Sequence, residues 1–389
     1  MIEWLAKNIK GDRTIWGVVI ILSVFGILAV YSSTGTLAYA KKSGNTEYYL
    51  MKHLGILVLG LSFMWVAHMV DFQYYSRLSQ LFLWLSIPLL IYTLMFGKEV
   101  NDATRWITIP VIGMSFQTSD LAKLALIMYI ARFLSKKQDN IKSFKESFLP
   151  ILIYIVVICG LIAPSNLSTA AVLFATCMLL LFIGRIPFTY LLSLAATGII
   201  VLAISIGIIL NTPGQGRVAT WKSRIETYVS FVKGDEQAES YQNQQAKIAI
   251  SKGGITGMGP GNSTQRNFLP SPYADFIYAI IIEEYGLVGG GVLILLYLIL
   301  LFRTIRIVML TPKAFGALLA VGLSFSLVIQ AFINMAVAVH MVPNTGLPLP
   351  LVSMGGTSLF FTSMAFGIII SVSRATTKEK PQTDESIEA

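Results

Sequence analysis

The side chains able to do chemistry stand out in this chain because they interrupt long apolar runs. Ser119 and Asp120 open one such run, with Lys123 one turn further on. Asp275 opens another, and Glu283 and Glu284 follow deeper in it. Asn334 and His340 lie towards the end of a third. An ionisable group at membrane depth is expensive, so each needs a partner or a function. As helix ends near one membrane surface, these polar groups from distant parts of the chain are expected to converge on an outward-facing cavity. Asp120 and Lys123 also have a plainer reading, as a pair at a helix start where Ser and Asp are ordinary caps. Asp275 and a glutamate cannot be the carboxylate pair of a glycoside hydrolase. Eight or nine residues of helix rise about 12–14 Å, beyond the roughly 5–9.5 Å that such pairs use. The glutamates are expected to meet a buried cation or polar backbone.

Other chemistries find little support. The run Gly253–Gly261 lacks the Gly-Lys-Ser/Thr ending of a phosphate loop and follows no strand, so it reads as tight backbone turns. Gly289, Gly290 and Gly291 suggest close helix packing or a flexible point. His53, His68 and His340 are scattered without metal-ligand spacing. Cys159 and Cys177 both sit inside apolar runs and cannot staple an exported loop. A net charge of +9 would suit nucleic acid, but the basic residues are spread between apolar segments. They read as topology signals and contacts with anionic membrane lipids, with no nucleic-acid partner.

The elements that must position these groups are membrane helices. Of 389 residues, 55% are hydrophobic and 13% charged, against roughly a quarter charged in a soluble domain. The pattern predicts an all-α polytopic membrane protein with about ten spans, at 14–34, 53–70, 78–96, 119–134, 148–163, 169–184, 187–210, 275–303, 314–340 and 357–374. Lys7, Lys10 and Arg13 before an apolar run, with Ala38-Tyr39-Ala40 after it, imitate a signal peptide. The run is long for one and many spans follow, so it reads as an uncleaved first helix. An even number of spans puts both termini on one side. Sixteen of the 29 Lys and Arg then share the termini's side and 12 the other, seven of these in the long loop 211–274. That asymmetry makes residues 1–13 and the polar tail 375–389 cytoplasmic, flanking a membrane domain at 14–374. The loop 211–274 is then extracytoplasmic, and its second half is expected to fold as a short amphipathic helix followed by a turn-rich segment.

Three segments together resemble one family. Tyr241–Gly286 carries a Gln-rich entry, then Gly257-Met258-Gly259-Pro260-Gly261-Asn262-Ser263, Leu269-Pro270, Asp275-Phe276-Ile277 and Glu283-Glu284-Tyr285-Gly286. Asn101–Ile107 and Phe116–Lys123 carry Ala103-Thr104-Arg105-Trp106 and Gln117-Thr118-Ser119-Asp120 ahead of Lys123. Pro343–Ser358 supplies the third. On these motifs the chain is similar to the SEDS proteins (shape, elongation, division and sporulation) over essentially its whole length, and leans to the division branch rather than the elongation branch. It departs from the family pattern at Thr118, Asp120 and Asn166, which stand where Pro, Glu and Asp are usual.

The resemblance implies the SEDS fold at the cell inner membrane, at the division septum. It implies a peptidoglycan glycosyltransferase that polymerises lipid II into β-1,4 strands with inversion. Asp275 matches the family's key aspartate and is the expected general base. Arg105 and Lys123 are expected to contact the donor pyrophosphate, and Trp106, Asp120, Gln245, Asn262, Glu283, Glu284, Asn334 and Ser353 complete the substrate-binding set. A divalent cation, Mg or Mn, could share the anion-stabilising task, although no dedicated site is visible. The implied partners are a class B penicillin-binding protein and other division proteins. The competing reading is a flippase for the same lipid. Asp275 at the outer end of its helix favours the enzyme, since a transporter's coupling residues are expected near the midplane.

Overall fold

The computed structural model describes residues 10–42, 45–100, 103–108, 115–211, 217–233 and 240–378. A helix lies at each of the ten expected spans: α1 Arg13–Ser33, α3 Thr46–Met69, α4 Phe72–Phe96, α5 Thr118–Lys136, α6 Leu149–Ile162, α7 Leu167–Ile183, α8 Phe188–Asn211, α11 Ile277–Leu310, α12 Ala314–Ala338 and α13 Thr357–Lys378. Between them lie α2 (Gly35–Lys42), α9 (Arg217–Val232), α10 (Tyr241–Gly253) and three short strands. Among the described residues, seven helices are long and apolar enough to cross a membrane unaided, α6 being lengthened by a π-turn at Phe144–Phe148. The chain is a polytopic helical membrane protein.

Length and hydropathy alone undercount, passing over α7 at 17 residues and α5 with its polar start. Helix α5 carries Asp120 and Lys123, yet 14 of its 19 residues are buried by neighbouring helices. Its surroundings are protein, so its polar groups need partners rather than an apolar coat. Helices α12 and α13 share this interior, with 67% and 72% of their most apolar windows buried, whereas α3 and α4 bury only 28% and present the rest outward.

Boundaries move where a cap is present. Helix α3 starts at Thr46, before the expected 53, because the Asn45 side chain accepts from the Tyr48 N–H at 3.0 Å. Asp71 does the same for α4, accepting from Gln73 at 2.9 Å. Helix α13 runs to Lys378, past the expected end at 374, and residues 379–389 of the predicted tail lie outside those described.

Two features went unpredicted. Residues 98–117 hold an antiparallel sheet, β1 (Lys98–Val100), β2 (Ala103–Thr108) and β3 (Ser115–Gln117), with Trp106 opposite Gln117. The first half of the long loop, for which no helix was expected, forms α9; the second half gives α10 and then turns, with a 3₁₀ turn at Gln265–Asn267.

Helix α11 is broken at Gly286 (φ 68°, ψ −171°). A break frees the N–H groups of Leu287 and Val288 and the carbonyls of Glu283 and Glu284, which an unbroken helix would pair with one another. The glycine-rich turn after α10 takes up all four. Leu287 and Val288 donate to Gly254 and Ile255 (2.9 and 3.2 Å), while Met258 and Gly259 donate to Glu283 and Glu284 (both 2.9 Å). Only glycine permits so close an approach. A Cβ on Gly257 would stand 2.2 Å from the Glu284 carbonyl oxygen, and one on Gly286 2.1 Å from that of Ile255.

Candidate active site

The short sheet, the start of α5 and the turn before α11 line a cavity of about 350 Å³ at one end of the bundle. Arg105 and Trp106 reach it from β2, Asp120 and Lys123 from the first turn of α5, Arg224 from α9, and Asp275 from the turn before α11. Three cations and two carboxylates therefore share one space. Lys123 pairs with Asp120 at 2.9 Å and donates to the Gln330 side-chain oxygen at 3.2 Å. The plain pairing and the cavity position thus coexist in one side chain. Arg105 is held by its Nε–H, which donates to the Ser165 carbonyl at 2.9 Å.

Asp275 is set by backbone anchors on both sides. Asn334 donates through Nδ2 to the Asp275 carbonyl at 3.0 Å and to that of Leu347 at 2.7 Å. Ser353 donates to the Ala274 carbonyl at 2.7 Å, and the Met354 N–H to Tyr273 at 2.9 Å. The carboxylate faces Gly346, where a Cβ would come within 3.7 Å of Oδ2. Burial pushes the Asp275 carboxyl above its ordinary range, and the nearby charges of Arg224 and Arg105 pull it part of the way back. A carboxylate raised in this way is a better proton acceptor near neutrality than a free aspartate.

The ten residues expected around the base divide into two groups. Arg105, Trp106, Lys123 and Asp120 line the cavity with Asp275. Asn334 and Ser353 lie behind its wall as positioning groups. Glu283 and Glu284, 0% and 1% exposed, also lie outside the lining. Glu283 accepts from the Ser263 hydroxyl, from the Thr264 N–H and hydroxyl (both 3.0 Å) and from the Gln265 N–H (3.2 Å). Glu284 accepts from the Ser32 hydroxyl and the Ser263 N–H, and the Arg266 guanidinium donates to the same Ser32 hydroxyl at 3.0 Å. Polar backbone with a nearby cation surrounds both, and together they tie loop 263–266 to α11. Asn262 is exposed and closes the glycine turn through the Met258 carbonyl at 3.0 Å. Gln245 lies half-buried on α10.

Asn166 lines the cavity and caps α7, accepting from the Thr169 N–H at 3.2 Å. An amide serves that capping bond without a charge. Arg224 is the group that sequence reasoning missed. It donates to the Asn344 carbonyl at 3.0 Å, and its charge acts on Asp275. It was one of seven basic residues in a long loop, and only the fold of α9 distinguishes it.

This is a polytopic membrane protein with a cavity at one end of its helical bundle that gathers three cations and two carboxylates. The chain belongs to the FtsW/RodA/SpoVE family, matching the description "Cell cycle protein" over residues 12–378. It is 32% identical over 376 residues to the stage V sporulation protein E of Bacillus subtilis, covering 95% of this chain and 98% of that one. It is also 32% identical over 380 residues to a "Probable peptidoglycan glycosyltransferase FtsW" of Trichlorobacter lovleyi, covering 96% of each. Among solved structures, the fold matches a chain from work on "polymerization and crosslinking by a peptidoglycan synthase complex" (TM-score 0.71, 22% identity, 95% of this chain and 99% of that one). It also matches the rod shape determining protein RodA of Thermus thermophilus (TM-score 0.66, 22% identity, 94% and 97%).

Proposed function

We propose that this protein is a peptidoglycan glycosyltransferase that polymerises lipid II at the outer face of the cytoplasmic membrane, in the septal wall. The observation carrying the reading is the joining of Asp275 to Arg105, Lys123 and Arg224 in one cavity. The relatives named as peptidoglycan glycosyltransferases support it. Asp275 takes the proton from the acceptor sugar's 4-hydroxyl as that oxygen attacks the donor's anomeric carbon. The bond to the pyrophosphate breaks on the opposite side, inverting the carbon, and the departing anion meets the three cations. Among the described residues, no three His, Cys, Asp or Glu side chains gather as a metal site, so no step is routed through a divalent ion.

Both termini are cytoplasmic in this reading. Asp12 near the start of α1 pairs with Arg303 towards the end of α11, and its N–H donates to Ser373 on α13 at 2.9 Å, so all three lie at the bundle end away from the cavity. The division role follows the naming of the relatives, and the expected partner is a class B penicillin-binding protein.

The test is strand synthesis from lipid II by the purified protein with its partner, comparing wild type with Asp275→Ala and Asp275→Asn. Wild-type strands, with variants that bind lipid II but make none, support the reading. Normal polymerisation by the variants removes Asp275 as the base. Failure of the wild type to polymerise, together with transport of lipid II across liposomes, would replace the enzyme by a flippase.

A further inference from the structure

Helices α4, α5 and α12 each have a second functional-looking end. Asp120 and Lys136 are sixteen residues apart on α5, about 24 Å of rise, and α4 and α12 are longer still. The far ends of these helices therefore lie across most of a bilayer from Asp275. There they enclose a second cavity, of about 620 Å³, lined by Arg77, Arg132, Lys136 and Lys313 with Asp71 as its acid. Asp71 is already engaged in capping α4, and Arg132 donates to the Ser76 carbonyl at 2.8 Å. The side chains of Arg77, Lys136 and Lys313 make no ion pair or hydrogen bond among the described residues and are exposed towards the opening. A smaller pocket of about 140 Å³ continues past Lys313 to Arg374. Both α4 and α12 begin here, and α12 starts at Lys313 without a side-chain cap. The uncapped start of α12 adds its dipole to the positive field.

We propose that this cavity binds the phosphate of an anionic phospholipid headgroup, from the leaflet opposite the candidate active site. Four cations against one committed carboxylate favour an anion, and basic pockets between helix ends on the cytoplasmic side suit lipid headgroups. The adjoining surface separates a lipid from a soluble phosphate. Tyr74, Leu81, Leu85 and Tyr92 follow one another on a single face of α4, all 47–61% exposed, and lead away from the cavity towards the other leaflet. That face offers an acyl chain an apolar path beginning at the site. Phe72 and Phe315 stack at the cavity wall with centroids 6.3 Å apart.

Native mass spectrometry of the intact protein tests the site with phosphatidylglycerol, phosphatidylcholine and inorganic phosphate titrated separately. The variant is Arg77→Gln/Lys136→Gln/Lys313→Gln, all exposed positions. The control removes three exposed charges from the same membrane face, Lys10→Gln/Lys142→Gln/Lys145→Gln. The expected result is selective binding of phosphatidylglycerol, weakened about a hundredfold in the first variant and retained in the control. Equal loss in both variants would reduce the effect to general surface charge and overturn the proposal. Equal binding of both lipids would also overturn it. Inorganic phosphate binding as tightly as phosphatidylglycerol would replace the lipid by a soluble anion.

Discussion

Replacing Gly286 by alanine tests whether the glycine turn holds the break in α11. The new Cβ would lie 2.1 Å from the Ile255 carbonyl oxygen, about 1 Å inside any tolerable approach. Its φ of 68° and ψ of −171° also lie in a region that is nearly glycine-only, worth about 1–3 kcal/mol of strain. Turn and helix must separate, which weakens four backbone hydrogen bonds of about 1 kcal/mol each. Relief of one cost by the other limits the total to roughly 2–4 kcal/mol. With an unfolding entropy near 2.1 cal/mol/K per residue, that lowers the apparent Tm by about 3–5 °C. Catalysis should fall further than stability, because a displacement of about 1 Å at a catalytic group can cost on the order of a hundredfold. Gly257→Ala, 2.2 Å from the Glu284 carbonyl, should behave alike. Gly291→Ala on the same helix meets open space and should stay within about 0.5 kcal/mol of wild type. The assays are thermal unfolding in detergent and strand synthesis from lipid II. If Gly286→Ala matches Gly291→Ala in both, the four-bond clip is not what shapes this region.

Asp275→Asn should abolish polymerisation without lowering Tm. Burial raises this carboxyl's pKa, so its protonated form contributes stability that is fully present below the unfolded pKa and is lost as pH rises through the folded one; a neutral amide escapes that loss. The acid limb of the wild-type rate profile should therefore lie above that of a free aspartate, and Arg224→Gln should move it higher by removing an opposing charge. Lys123→Ala leaves Asp120 buried beside an empty place and should cost about 3–5 kcal/mol. The double variant Asp120→Ala/Lys123→Ala should recover much of the Tm but none of the activity; recovery of both would make the pair purely structural. Glu283→Ala strands four buried or half-buried donor groups and should lower Tm more than Asn262→Ala, whose side chain closes an exposed turn.

Membrane spans were legible because roughly 30 Å of hydrocarbon demands a run that no soluble fold needs. Their starts were less so, because Asn45 and Asp71 carry α3 and α4 beyond the apolar stretch into water. Asp120, Lys123 and Asp275 were legible as a set because charge at helix ends needs a reason. Arg224 and the strand bearing Arg105 were not, since their positions depend on how α9 and a short sheet fold over the bundle. Glu283 and Glu284 had the same ionisable signal as Asp275. What separates them is direction, because their partners come from loop 263–265, which the sequence places nearby but does not aim.

The separation explains why so many ionisable groups lie near one site. A loop of about twenty residues between α10 and α11 gains little from apolar contact at a membrane surface and must be held by other means. Glycines let its backbone replace the missing helix bonds of α11, and two buried carboxylates collect its free N–H and hydroxyl groups. Each such group would cost about 1–3 kcal/mol if left without a partner. The loop then delivers Asp275 to a fixed point, where Asn334 and Ser353 hold its backbone from the other side. With the anchoring charges spent on the loop, the charges left facing the cavity are Arg105, Arg224, Lys123, Asp120 and Asp275, the groups that the proposed proton transfer and anionic donor would use.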